Sequence, residues 1–332
     1  MQLARFPRRR YTSGPTDLSP LDRLSAHLGG PRLWLKRDDQ LGLASGGNKT
    51  RKLEFLVADA LGAGADTLVT VGAVQSNHCR LTLAAAAEEG LACRLVIEQR
   101  VPGSYDDRAS GNNLLFRLLG AEKLTVVDRG ADLEAAMRAE LDDLTAAGRF
   151  GYAIPGGGSN PLGALGYVAC AQELLQQAFD QGLSIDHLVL ASGSGGTHAG
   201  IVAGLTGANA GIEVLGVSVR AAKEQQEAKI LDLAIRTAEL AGSSHAIAPE
   251  AVSVLDGYVG DGYSLPTDGM IEAVKLFARL EGVLLDPVYT GKAAAGLIDQ
   301  VRRGAFPAAA NVVFLHTGGA PALYAYQDAL LA

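Results

Sequence analysis

Leu188-Val-Leu-Ala-Ser-Gly-Ser-Gly-Gly-Thr-His-Ala-Gly200 is the stretch on which the fold turns. It opens as a continuous apolar run and closes on small residues suited to a helix start, with Ser194 and Thr197 in the glycine-rich loop between. A strand that runs through such a loop into a helix N-terminus presents free backbone N–H groups and the positive end of a helix dipole, which together cradle a phosphate. Two other phosphate loops fail on spacing. A P-loop would end in Gly-Lys-Ser/Thr, and none is present. A GxGxxG fingerprint would start at Gly193 and Gly195 but meets His198 where its third glycine belongs. The following strand, residues 214–219, leads to Arg220 and not to a ribose-binding acid.

Working outward, the same strand-then-helix alternation recurs. Residues 67–71, 94–97, 124–127 and 312–315 are further apolar, β-branched runs. Most are continuous and do not alternate, as strands do when helices cover both faces of a parallel sheet. A helix follows at 78–89, and Leu53, Leu56, Val57, Ala60 and Leu61 recur at the spacing of one helix face. Trp34 reads as strand core, and residues 99–113 read as a polar loop. The fold class is therefore α/β, with two interleaved domains that each hold a mostly parallel sheet flanked by helices. Residues 46–155 form the expected smaller domain, and 1–45 plus 156–332 the larger.

Composition narrows the function classes. The chain has 332 residues, 48% of them hydrophobic, enough for two cores and against wholesale disorder. Lys+Arg of 29 against Asp+Glu of 36 gives a net charge of −7, which lacks the basic footprint of a nucleic-acid binder. Three scattered cysteines, Cys79, Cys93 and Cys170, match neither a disulfide scaffold nor a structural zinc site. No apolar run is long enough for a membrane span, and no apolar stretch follows Arg8, Arg9 and Arg10 to make a signal peptide. A cytoplasmic protein without membrane or nucleic-acid partners is expected. Gly is the outlying residue, 41 in all, well above the usual ~7% share, and clustered between strands and helices.

Five polar or glycine-rich segments could build one cleft. In Ser45-Gly-Gly-Asn-Lys49-Thr-Arg51-Lys52, a lysine stands where a glycine turn meets a helix. Desolvation and its like-charged neighbours Arg51 and Lys52 would favour the neutral amine that a Schiff-base nucleophile requires. The plainer alternative is a solvated surface lysine. Gly72-Ala-Val-Gln75-Ser76-Asn77-His78 follows a strand, and Ser76 or Asn77 would cap the next helix. One cap leaves the other polar residues free for a ligand. The loop at 193–200 is the third segment. Leu285-Asp286-Pro-Val-Tyr289-Thr290-Gly-Lys292 marks a rigid turn into a helix, and His316-Thr317-Gly-Gly-Ala-Pro321 again follows a strand. His78 and His198 read as local hydrogen-bonding groups and Cys79 as an ordinary buried thiol, so no metal site is expected.

Taken together, GGNKTRKLE, GAVQSNH, IPGGGSNPLGALGY, SGSGGTHAG, LEGVLLDPVYTGK and HTGGAPAL resemble the pyridoxal-phosphate enzymes of the tryptophan-synthase-β fold type (fold type II). Within them the likeness is to the group of D-cysteine desulfhydrase, L-cysteate sulfo-lyase and 1-aminocyclopropane-1-carboxylate deaminase, over nearly the whole chain. The resemblance implies pyridoxal 5'-phosphate as cofactor, joined to Lys49 as a Schiff base. Asn77 would hydrogen-bond its phenolic oxygen, and Ser194, Gly195, Gly196 and Thr197 would hold its phosphate. Thr290 and Thr317 would lie near its ring nitrogen. Ser76, Asn77 and Gln75 would meet the substrate, Ser76 also moving a proton, and Tyr263 and Tyr289 would face it. The family also implies a homodimer.

One departure inside the group bears on the reaction. The deaminase has Glu straight after the Tyr of DPVY, where this chain has Thr290. A hydroxyl cannot hold a full positive charge on the ring nitrogen, so the cofactor becomes a milder electron sink. That suits β-elimination from a cysteine-type amino acid to pyruvate and ammonia, and disfavours cyclopropane opening. Arg220 and Lys223 at a strand end suit a sulfonate, which points to L-cysteate with sulfite release. D-Cysteine with hydrogen sulfide release is the alternative, and Arg220 could instead be a surface cation paired with Glu224 or Glu227. From other classes, an NADP-dependent oxidoreductase would use the glycine loop for a pyrophosphate and Arg220 for a 2′-phosphate, and a non-catalytic binding protein would have no need of Lys49.

Overall fold

The computed structural model describes residues 1–331. Its strands are β1 (Leu18–Pro20), β2 (Arg32–Lys36), β3 (Thr67–Ala73), β4 (Ala92–Gln99), β5 (Lys123–Asp128), β6 (Gly151–Ile154), β7 (His187–Ser192), β8 (Glu213–Ser218), β9 (Ser253–Leu255) and β10 (Asn311–Leu315). Its helices begin with α1 (Asp22–Leu28), α2 (Lys49–Gly62), α3 (Asn77–Glu88), α4 (Asn112–Leu118), α5 (Leu133–Ala146) and α6 (Pro161–Gln181). They continue with α7 (Gly196–Gly207), α8 (Lys223–Ala241), α9 (Asp268–Glu281), α10 (Thr290–Arg302) and α11 (Gln327–Leu331).

Two sheets result. The smaller has the order β5-β4-β3-β6 and is parallel throughout. The larger has the order β1-β2-β10-β7-β8-β9, and only β1, which ends in Pro20 at the sheet edge, runs antiparallel to its neighbour. Each long apolar strand is covered on both sides. Leu188 and Leu190 of β7 face a core built with α6, α7 and α8, while Val189 faces one built with α1, α9 and α10. Leu68 and Leu95 of the smaller sheet pack with Leu53, Leu56 and Val57 of α2 and with α3. Trp34 lies in β2 and is only half-buried; it packs against the larger core, and its Nε1 donates to Asn311 Oδ1 at 3.2 Å.

The helix ends carry their own stops. Ser76, Asp132, Asn160 and Thr267 cap four N-termini, and left-handed Gly182, Gly242 and Gly282 end three helices. One close approach fixes α2. A Cβ at Gly166 of α6 would stand 2.2 Å from the carbonyl oxygen of Arg51, so the helix that starts at Lys49 lies directly on α6.

A buried ionic cluster anchors the same helix. Arg51 donates to Asp38 from Nε and Nη2, both at 2.8 Å, and to Glu173 from Nη1 at 2.8 Å. Lys36 and Tyr167 join the network. Burial pushes the Asp38 carboxyl up, but the charge and hydrogen bonds of Arg51, with Lys36 behind, hold it at about 2.

Candidate active site

Between the sheets lies a cavity of about 350 Å³, within the range of small-molecule sites. Six strands converge on it. β3 ends in Gly72 and Ala73, β7 in Ala191 and Ser192, and both end in its wall. Arg100 follows β4, Pro155 follows β6, Arg220 lies just beyond β8 and Thr317 just beyond β10, all lining it. This is the crevice outside the carboxyl ends of parallel strands where α/β folds bind ligands.

Lys49 enters as the first residue of α2. The turn before it is held by Arg80, which is buried and donates to the carbonyls of Ala44 and Gly46. The Lys49 amine donates to Asn48 Oδ1 at 3.0 Å, and burial draws it down to about 8, against the pull of Asp286. The expected help from Arg51 is absent, because that guanidinium turns away to Asp38 and Glu173. Desolvation carries the shift.

Facing Lys49 is the cradle. Gly196 N and Ser194 Oγ both meet Ser159 Oγ, at 3.1 and 2.8 Å, and Asn48 Nδ2 donates to Thr197 Oγ1 at 2.8 Å. Lys52 sits beneath, donating to Gly157 O at 3.1 Å and Ser159 Oγ at 3.2 Å. Burial, with Lys49 and Lys229 nearby, holds its amine well below the ordinary lysine range. A Cβ at Gly196 would come within 2.9 Å of Lys52 Nζ, so glycine keeps this space open. A buried lysine beside a helix N-terminus, with no carboxylate partner among the described residues, is a site for an anion, whose charge would draw the amine back toward its protonated form. Sequence reasoning treated Lys52 only as a like charge. Its helical offset of three from Lys49 was the available signal.

The remaining wall is aromatic and polar. Tyr263 and Tyr289 meet hydroxyl to hydroxyl, their rings edge-on at 5.9 Å between centroids. Ser76 Oγ caps α3 by accepting from Cys79 N at 3.1 Å. Asn77 lines the cavity, and its Oδ1 accepts from Asn112 Nδ2 at 2.7 Å, which leaves its amide nitrogen as a free donor among the described residues. His78 and His198 also line the cavity and bond locally to Thr70 and Ser192.

Three expected participants lie elsewhere. Gln75 is outside the lining: its amide nitrogen donates to Ser110 O at 3.0 Å and its oxygen accepts from Asn112 N at 2.8 Å, so it clamps a loop. Thr290 is fully buried behind the wall, its hydroxyl donating to Asp286 Oδ1 at 2.8 Å and accepting from Asp286 N at 2.7 Å. Lys223 turns to Glu227 at 3.8 Å. Arg220, by contrast, lines the cavity and has no ion-pair partner among the described residues, so the expected pairing with Glu224 or Glu227 is not made. Sequence reasoning missed Arg100 and Lys229 in the lining, and Asp286 behind it. Burial pushes the Asp286 carboxyl up despite hydrogen bonds from residues 288–290.

A shielded amine, an anion cradle opposite it, and a side-chain amide donor between them match the aldehyde, phosphate and phenolic oxygen of pyridoxal phosphate. The residues therefore fit that group, and fold and site define a fold-type-II pyridoxal-phosphate enzyme. The chain belongs to the family described as "Pyridoxal-phosphate dependent enzyme", whose model matches residues 10–318. It is 45% identical over 331 residues to a 1-aminocyclopropane-1-carboxylate deaminase of Methylobacterium nodulans, covering 98% of each chain. It is also 45% identical over 326 residues to a D-cysteine desulfhydrase of Salmonella typhimurium, again covering 98% of each. Among solved structures it matches an ACC deaminase homologue with a TM-score of 0.89 and 37% identity, over 99% of this chain and 97% of that one. No helix is long and apolar enough to cross a membrane among the described residues.

Proposed function

We propose that this chain is a carbon–sulfur lyase that eliminates the β-substituent of a cysteine-type amino acid, giving pyruvate and ammonia, with D-cysteine as substrate and hydrogen sulfide as the third product. One observation carries the choice of reaction. No Asp or Glu lines the cavity among the described residues, and the hydroxyl at position 290 is committed to Asp286. The wall thus offers no carboxylate to hold a proton on the cofactor ring. That weakens the case for cyclopropane opening and leaves α-proton loss and β-elimination within reach. The desulfhydrase relative supports D-cysteine as the substrate.

Bound pyridoxal phosphate would supply an aldehyde for the substrate amine and a ring to spread the electron pair left at Cα. The chain's residues would supply the rest. Lys49 would be the base at Cα, where an amine near 8 can take up and give back that proton. Ser76 would take the substrate carboxylate beside the N-terminus of α3. Tyr263 or Tyr289 would give a proton to the departing thiolate, for which burial keeps both phenols protonated. Cysteine plus water then balances to pyruvate, ammonia and hydrogen sulfide.

A second reading, L-cysteate with sulfite release, draws on Arg220, which faces the cavity unpaired among the described residues. It loses the support of Lys223, which is held by Glu227. Assays for pyruvate, sulfide and sulfite on D-cysteine, L-cysteine, L-cysteate and 1-aminocyclopropane-1-carboxylate distinguish these. Sulfide from D-cysteine is expected. Sulfite from L-cysteate without sulfide would favour the second reading, and turnover of the cyclopropane alone would overturn both.

A further inference from the structure

We propose that Arg100 is a positioning residue that holds the Tyr263–Tyr289 hydroxyl pair as proton donor to the departing sulfur; the proposal rests on the elimination reading above. Arg100 leaves the end of β4, in the smaller sheet, and reaches a loop that belongs to the larger one. Its Nε donates to Glu98 Oε2 at 2.6 Å, and Glu98 Oε1 accepts from Gly130 N at 3.1 Å, so the guanidinium is fixed from its own side. Its carbon then stands 4.3 Å from the centre of the Tyr263 ring. The loop under Tyr263 is fixed in turn by Lys292, whose amine donates to Val259 O at 2.6 Å and Gly262 O at 3.0 Å.

A cation over a phenol ring stabilises the electron-rich form and eases release of its proton. Tyr263 faces Arg100, Tyr289, Asp286 and Arg220, and Tyr289 faces Tyr263, Arg100 and Asp286. Burial raises both phenols, Asp286 adds to the rise, and Arg100 opposes it for both. A thiolate is a poor leaving group without a proton, whereas chloride leaves without one, so Arg100 should matter for the first and not for the second.

The test compares holoenzyme of wild type, Arg100→Gln, Arg100→Lys and Tyr263→Phe on D-cysteine and on β-chloro-D-alanine, alongside an ultraviolet titration of tyrosinate. Arg100→Gln is expected to lower kcat on D-cysteine about tenfold or more, inside the ~10²–10⁴ that general acid catalysis contributes. KM and chloride elimination should stay near wild type, and Arg100→Lys should recover part of the loss. The tyrosine titration of Arg100→Gln should differ from wild type by an upward shift, and that difference should vanish when Tyr263→Phe is added. Equal losses on both substrates, a raised KM with unchanged kcat, or an unmoved tyrosine titration would overturn the proposal. If wild type eliminates neither sulfide nor chloride, the elimination reading is what fails, and the titration alone still decides whether Arg100 acts on the tyrosines.

Discussion

At the residue scale, the chemistry depends on two lysines three positions apart that do different work. Lys49 borders the cavity, whereas Lys52 is sealed under the cradle. Only an unprotonated amine attacks an aldehyde, so uptake of pyridoxal phosphate by the cofactor-free chain should speed up as pH rises through about 8. Stopped-flow absorbance measures this, and a rate flat from pH 6 to 9 would contradict it. Lys49→Ala should abolish turnover while retaining the cofactor's phosphate. Lys52→Ala should instead weaken cofactor affinity, roughly tenfold or more for a lost charge-assisted contact of ~1.5–3 kcal/mol. Equilibrium dialysis separates the two. Lys49, Ser76, Asn77 and the glycine loop were legible in the sequence because each lies in a local strand–loop–helix junction. Arg100 was passed over although it stands just beyond β4, at the kind of strand end where such sites form, whereas Lys229 lies within α8, where nothing local marks it. Gln75 and Thr290 went astray for the opposite reason: their neighbours sit at the site, but their own polar atoms are consumed by Ser110, Asn112 and Asp286.

At the element scale, α2 is the part that aims Lys49, and it is held by tight packing and by buried charge. Gly166→Ala would drive a methyl into the backbone of Arg51 and shift α2, costing ~1–3 kcal/mol and reducing activity beyond the stability loss. Arg51→Ala would leave Asp38 a buried, poorly compensated carboxylate, at ~3–5 kcal/mol. Urea denaturation of both variants checks these figures, and near-wild-type midpoints would remove the anchoring role. The continuous apolar strands β3, β4, β5, β7, β8 and β10 were readable because each carries its own hydrophobic run. β1, β6 and β9 were not: they have three or four residues, and pairing with neighbours defines them more than their own composition.

At the scale of the whole molecule, two sheets close on one polar cavity, and the histidines record what that closure costs. His78, His198 and His316 are all buried and lowered by desolvation, His198 to about 3. The unfolded chain binds protons at these positions near pH 6.5 and the folded chain does not, so stability falls as pH drops through that value. Asp286, raised above its ordinary 3.8, works against this trend just above that value. A melting temperature that declines between pH 7 and 5, more gently in His198→Gln, is expected from calorimetry, and a rise would contradict it. The most direct test of the account is where the cofactor attaches. The holoenzyme, reduced with borohydride and digested, should carry its phosphopyridoxyl group on Lys49. Recovery of that group on Lys52, Lys229 or Lys292, or no covalent adduct at all, would contradict the account.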